Sequence, residues 1–402
     1  MNAPVKISAR LLLLLGLVGA SMSVFSDTVI AALPALQIAL AASDYDVQQL
    51  VSLFLAATAL ASLFVGALAD AYGRRPVLLG SLLLLVVTSV GCTYAEQMGQ
   101  LWLLRIVQGA AACAGMILSR TIVRDLVSGV QAQKAISHVS LIQCLFPVLT
   151  PLLGAWVASL YGWRMVFVSA GTLASIMLLA LASMLPETLP APRRQPLRLA
   201  LLAQAYRKVF GSGVFLRSAF AQALNWAAAF LYVAAAPKIM TIHLAQPSTE
   251  MYKVFAAFTI PMLLGLMLLP LLLQRLRPPT VLAGAYCCLF AAIALNLGIG
   301  ALEVRTLIAL APIALFSFGV GCSLPLLVGE ALEPFPDNAG MASSCQMFVQ
   351  YALMGLTAGV VAPLAWQSLL GLAVAQAGMV AAGFALLLWQ RRLTHQRTAV
   401  PA

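Results

Sequence analysis

Asp27 is the residue best suited to chemistry in this sequence, because it is the only acid in the middle of an apolar run. At the centre of a membrane helix an aspartate costs about 2.5–3.5 kcal/mol on insertion scales. Hydrocarbon disfavours its charged form, so a neutral, protonated carboxyl comes within reach. Gly16, Ala20, Ser23, Asp27, Ala31 and Pro34 recur at spacings of three and four, which puts them on one helix face. That face is small and polar and suits a water-filled cavity. Two readings follow: a group that binds and releases a proton, or an acid that only ties neighbouring helices together.

Arg105 is the matching basic anomaly, at a similar depth in the fourth apolar run and on one face with Gln108, Ala112, Met116 and Ser119. A buried guanidinium either tunes a nearby carboxyl as helices move or forms a permanent ion pair with it. Gly66, Asp70, Gly73, Arg74 and Arg75 form a tight charged loop between the second and third runs. The glycines permit a sharp turn, and Asp70 can accept from the arginines. Pro147, Pro151 and Gly154 are spaced i, i+4, i+7 in the fifth run. There proline removes helix hydrogen bonds and glycine admits a neighbouring helix, as a pliable gate or a packing kink.

Neutral polar residues supply candidates for a substrate cavity. Gln222, Asn225 and Tyr232 share a face of the seventh run, as do Gln346 and Gln350 of the eleventh. Ser23, Gln108, Gln143, Trp226 and Tyr351 complete the candidate lining. Amides beside aromatic rings suit an amphipathic substrate, and they equally suit hydrogen bonds between helices. Glu330, Glu333 and Asp337 cluster at the end of the tenth run.

The elements that carry these residues are membrane helices. Hydrophobic residues make up 62% of the 402 and charged residues 9%, with mean hydropathy +0.99. A soluble domain needs more charge to cover its surface. Spans are expected near 11–40, 49–69, 77–95, 100–122, 136–160, 164–185, 214–236, 254–273, 280–301, 305–328, 340–364 and 367–389, each close to the roughly 20 residues that cross a bilayer. The N-terminus imitates a signal peptide, but the apolar run continues past Ala20, so an uncleaved first helix is expected. Pro186 to Gly213 interrupts the pattern with prolines and basic residues, and Leu197 to Phe210 reads as an amphipathic interfacial stretch. The expected organisation is therefore 1–186 as one six-helix bundle, 187–213 as a linker, 214–390 as a second bundle and 391–402 as a tail. The two bundles are equal in length, as in a transporter built from repeats.

With the N-terminus inside, eighteen Lys and Arg residues fall on the cytoplasmic side and four (Arg164, Lys238, Lys253, Arg305) outside. That asymmetry predicts both termini in the cytoplasm of a multi-pass inner-membrane protein. The net charge of +11 sits in short clusters between apolar runs, without the aromatic interleaving of a nucleic-acid surface. No nucleic-acid partner is expected. No lysine follows a glycine, which excludes a Walker A loop. The three histidines are far apart and the seven cysteines lie in apolar runs without a CxxC pair, so neither a metal, a cofactor nor enzymatic activity is expected.

Several motifs resemble one family. Gly66-Ala-Leu-Ala-Asp70-Ala-Tyr-Gly73-Arg74-Arg75-Pro76 is similar to the loop signature of the major facilitator superfamily. Leu104-Arg105-Ile-Val-Gln108-Gly109 resembles its fourth-helix motif, associated with proton coupling, and Thr150-Pro151-Leu-Leu-Gly154-Ala155 resembles its antiporter motif. Asp27 with Leu33-Pro34 looks like the first-helix motif of drug:proton antiporters. Ser119-Arg120-Thr-Ile-Val-Arg124-Asp125-Leu and Pro186-Glu187-Thr188-Leu189-Pro190 resemble the bicyclomycin and chloramphenicol resistance branch. Ala71 stands where a basic residue is usual, and Thr150 and Ala155 replace two glycines. The resemblance implies an all-α fold of two six-helix bundles with a cavity between them, working as a monomer on protons and a small molecule. Export of a drug or a self-made metabolite such as a siderophore is the leading expectation. A proton-coupled importer or facilitator of a nutrient, and a membrane sensor or scaffold, are the alternatives.

Overall fold

The computed structural model describes residues 8–398. Lys6, the tail beyond Thr398, and the side chains of Cys144, Asp337, His395 and Arg397 lie outside the described residues. Among the described residues, twelve helices are long and apolar enough to cross a membrane. The chain divides into two compact units at Leu199/Ala200, inside the segment expected as a linker.

In the first unit α1 (Ala9–Gly19) runs into α2 (Ser21–Ala39), followed by α3 (Asp44–Tyr72), α4 (Arg74–Thr93), α5 (Met98–Leu126), α6 (Gly129–Tyr161) and α7 (Trp163–Met184). Hydropathy predicts one helix over 11–40; the structure tightens it at Ala20. There the Ala20 N–H bonds the carbonyls of Gly16 (3.0 Å) and Leu17 (3.1 Å), so the axis adjusts without ending. Single glycines join α3 to α4 and α6 to α7: Gly73 has φ +106° and Gly162 φ +83°, conformations that other residues rarely adopt. Ser43 starts α3 with a capping box to Asp46.

The interior is built on close approach of backbones, as membrane packing favours. A Cβ on Gly109 of α5 would lie 2.1 Å from the Phe54 carbonyl oxygen of α3, and one on Gly154 of α6 would lie 2.7 Å from that of Thr28 in α2. Outward leucines such as Leu103 and Leu179 are exposed, and Tyr45, Tyr94, Trp156 and Tyr161 are exposed near span ends, where aromatic rings suit the headgroup layer.

After η-type turns at Ala191–Arg193, α8 (Leu199–Phe210) opens the second unit, followed by α9 (Gly213–Ala234), a short α10 (Ala236–Lys238), α11 (Tyr252–Leu273), α12 (Pro278–Ala301), α13 (Ala311–Leu332), α14 (Ala339–Leu356), α15 (Ala362–Ala365) and α16 (Leu369–Thr398). The segment predicted as one helix over 340–364 widens into a π-turn at Thr357–Val361 before Pro363, which cannot donate into the ladder. The amphipathic α8 is anchored at its C-terminal end by protein: Val209 is buried, and Phe210 meets Phe215 and Phe348 edge to face.

Candidate functional site

Asp27 is carried by α2 and keeps part of its surface exposed, whereas its neighbours Ser26 and Thr28 are buried. The side chains of Ser23, Ser26 and Thr150 lie around its carboxyl, although the Thr150 hydroxyl donates to the Phe146 carbonyl (2.7 Å) of its own helix. Thr150 comes from α6, brought in by the contact of Gly154 with the α2 backbone at Thr28. Only part of the expected polar face is open. Gly16 packs on Ile142, and Ala20 and Ala31 are buried, leaving Ser23, Asp27 and Pro34 with exposed area.

Arg105 is fully buried and does not form an ion pair with Asp27 among the described residues. Its Nε donates to the Leu50 carbonyl of α3 (3.0 Å), and Nη1 donates to the Phe25 carbonyl of α2 (2.7 Å) and to Gln108 Oε1 (3.0 Å). The Phe54 ring lies 4.1 Å away, face-on, a favourable seat for a cation. Nη2 has no partner. Arg105 thus holds main chain two residues before Asp27 and leaves the carboxyl itself unpaired. Gln108 is also fully buried, with its amide donating to Ser89 Oγ (3.2 Å).

At the opposite end of the α4 axis from Tyr94, the residues expected as a loop lie in helices apart from Gly73, with Gly66 and Asp70 in α3 and Arg74 and Arg75 in the first turn of α4, and they form an ionic cluster. Arg74 pairs with Asp70 (2.6 Å) and Asp125 (3.3 Å), and its backbone N–H donates to Glu187 (3.0 Å). Thr188 donates to Asp125 and Arg194 lies 3.8 Å from Glu187. A Cβ on Gly73 would meet Glu187 Oε2 at 2.4 Å, so the left-handed glycine makes room for this carboxylate. Arg75 Nη2 donates to the Ala182 carbonyl (2.7 Å). Gly66 has open space beside it. Pro147 and Pro151 lie inside an unbroken α6, and Gln143 accepts from Arg120 (2.8 Å) rather than standing near Asp27.

Among the described residues the second unit buries no Asp, Glu, Lys or Arg; its buried polar residues are amides, hydroxyl residues and His243, whose Nε2 lies 2.8 Å from the Trp366 carbonyl. Gln222 of α9 bonds Gln350 (3.1 Å) and Gln346 (3.5 Å) of α14. Asn225 is buried and donates to Tyr286 of α12 (2.9 Å). Tyr232 is buried beside Gln376 of α16, which also accepts from Asn296 (2.7 Å). Trp226 is half-buried, edge to face with Phe258, with its Nε1 unpartnered. Gln350 is half-buried and Tyr351 nearly enclosed. The shared face of α9 therefore splits between α14, α12 and α16. Asp125, Glu187, Thr150, Asn296 and Gln376 were not singled out from sequence as site residues. Gln376 carries the same signal as Asp27, a lone polar residue within an apolar span.

An unpaired intramembrane acid ringed by hydroxyls, in twelve spans divided between two units, defines a membrane transport protein of the secondary type. The chain belongs to the Major Facilitator Superfamily, whose sequence profile matches residues 12–359. It is 28% identical over 328 residues to "Multidrug resistance protein MdtL" of Klebsiella pneumoniae strain 342, covering 79% of both chains. It is 27% identical over 365 residues to "Multidrug resistance protein D" of Escherichia coli K12, covering 87% of this chain and 88% of that one. Against a "Bicyclomycin resistance protein homolog" of Haemophilus influenzae the identity is 24%, with 80% of each chain covered. The fold is shared with a D-xylose-proton symporter (TM-score 0.76, 15% identity, 93% of this chain and 96% of that one). It is also shared with the human organic anion transporter MFSD10 (TM-score 0.66, 20% identity, 95% and 99%).

Proposed function

We propose that this protein exports a small amphipathic molecule, a drug or a self-made metabolite, from the cytoplasm in exchange for protons. The observation that carries the reading is Asp27: a carboxyl inside a membrane span, partly exposed, with Ser23, Ser26 and Thr150 around it and no direct ion pair to Arg105, whose hydrogen bonds go elsewhere. Such a group can hold a proton in one state and release it in another. Relatives named for multidrug and bicyclomycin resistance, aligned over 79–87% of the chain, support the cargo class.

In this mechanism a proton from outside binds Asp27, the transporter changes the side to which the site is open, and the proton leaves to the cytoplasm while substrate moves outward. Thr150 and Ser23 position the carboxyl. Arg105 fixes the α2 main chain beside it. The Asp70–Arg74–Asp125–Glu187 cluster latches the cytoplasmic end, and α6 is the movable wall. Ser23 in the first unit, and Trp226 and Gln350 in the second, keep exposed area for contact with substrate; Gln108, Asn225, Tyr232 and the nearly enclosed Tyr351 act from behind. The bias of basic residues toward one side supports a cytoplasmic location of both termini at the inner membrane, and the proposed unit of function is a monomer without a cofactor.

The test is purified protein in liposomes with an imposed pH gradient, screened with cationic and neutral amphipathic compounds. Substrate should move against the proton flux. Movement with the proton flux would assign the import alternative, and undiminished pumping by Asp27→Asn would remove Asp27 as the proton carrier. A deletion strain that becomes drug-sensitive with unchanged secretion of its siderophores would assign drugs over a self-made cargo.

A further inference from the structure

A groove on the outside of the first unit, between α4 and α7, takes no part in the mechanism above. It encloses about 210 Å³ against Val86, Val90, Phe167 and Val168. Drug-sized molecules occupy pockets of roughly 300–1,000 Å³, so the groove suits a single hydrocarbon chain. Tyr94, 78% exposed, stands at its upper end. Beside Tyr94 lies Arg164, the first-turn cation of α7. Its Nε donates to the Thr93 carbonyl (3.0 Å) and its Nη2 to the Ala95 carbonyl (3.2 Å), and its guanidinium stacks 4.2 Å over the Trp163 ring. These contacts fix the group in place yet use only two of its five N–H donors. The residue is exposed, at the depth where exposed tyrosines mark the span ends.

We propose that this groove binds one phospholipid of the adjacent leaflet, with its phosphate on Arg164 and an acyl chain lying along Val90, Val86 and Val168. Charge and shape together select this occupant. A fixed guanidinium without an acid in the groove lining calls for an anion, and the apolar trough below it calls for a chain joined to that anion. The floor of the groove is Ser89, whose hydroxyl accepts from Gln108, which in turn accepts from Arg105. Gly171 keeps this seam tight, since a Cβ there would lie 2.8 Å from Ser89 Cβ. The seated chain therefore rests on the seam directly behind the Arg105 network.

Native mass spectrometry of the full-length protein in detergent, titrated with phosphatidylglycerol, tests the site. The wild type should retain one lipid per chain. Arg164→Gln, and separately Thr172→Trp, which fills the groove from its exposed rim, should each lower the bound fraction about tenfold. Arg164→Lys should retain most of it. Arg305→Gln, which removes an exposed cation elsewhere, should change nothing. Thr172→Trp leaves the Arg164 bonds untouched, so it carries the test alone if Arg164→Gln fails to fold. Retention undiminished in Thr172→Trp overturns the proposal, as does an equal loss in Arg305→Gln. Displacement of the lipid by inorganic phosphate, or by a compound the protein transports, would also overturn it.

Discussion

Asp27 and Arg105 show what a residue type reveals by itself and what it does not. Both stand out because an ionised group in an apolar span is costly, and depth along the helix brings them to the same level. Their relation is not legible that way. Whether the guanidinium meets the carboxyl depends on how α2, α3 and α5 are rotated about their axes, and that rotation is set by glycine contacts such as Gly109 on Phe54. Arg105 meets two main-chain carbonyls instead. Asp27→Asn should fold normally and lose pH-gradient-driven transport in liposomes, because a carboxamide cannot take up and release the proton that a carboxyl can. Arg105→Ala should remove the charge-assisted hydrogen bonds to the Phe25 and Leu50 carbonyls, at a cost of about 1.5–3 kcal/mol each, read as a lowered melting temperature in detergent. Arg105→Lys should recover only part of that loss, because an ammonium lacks the planar fork that reaches both helices. Thr150→Val keeps the shape but removes the hydroxyl, and should change the pH dependence of transport while leaving the melting temperature nearly constant.

At the scale of the element, hydropathy located every span, since each must be apolar for about the same length, but α3 and α6 begin five and seven residues before the expected 49 and 136, where polar residues extend the helices beyond the apolar run. What it missed are interruptions that leave hydropathy unchanged: the tightened turn at Ala20 and the widened one at Thr357–Val361. The polar faces were half legible. Period alone groups Gln222, Asn225 and Tyr232, but α9 is enclosed on several sides, so a shared stripe meets three different neighbours. The small residues of α6 are informative because their space is countable. Gly154→Ala should cost about 1–3 kcal/mol through overpacking on α2 and slow transport. Gly66→Ala has open space beside it and should be neutral in both assays, which makes it a matched control.

For the whole molecule, length symmetry and the bias of basic residues indicate two six-span halves and a direction of insertion. Cysteines placed at Arg198 and at Glu303 in a cysteine-free background should test this in intact cells. A membrane-impermeant maleimide should label position 303 and spare 198; labelling of 198 alone would invert the topology. The linker was legible as a break in hydropathy but not as a divided element. Its first residues belong to the first unit through Glu187, and its helix joins the second through Phe210. The identity of Glu187 as a partner of Arg74 spans 113 positions, a separation at which no periodicity operates. Glu187→Gln should weaken this anchoring and raise protease cleavage within 190–198 without unfolding either bundle.

The grip of Arg105 has a mechanical corollary. A guanidinium rooted in α5 and clasping the main chains of both α2 and α3 makes one stiff block of the three, so water cannot reach Asp27 by prising them apart. On the α6 side, by contrast, α2 packs closely along the neighbouring helix, with Gly154 seated on the main chain at Thr28, and among the described residues no guanidinium bridges the two. That boundary is held by close packing, without the charged hydrogen bonds that bind α2 to α3 and α5.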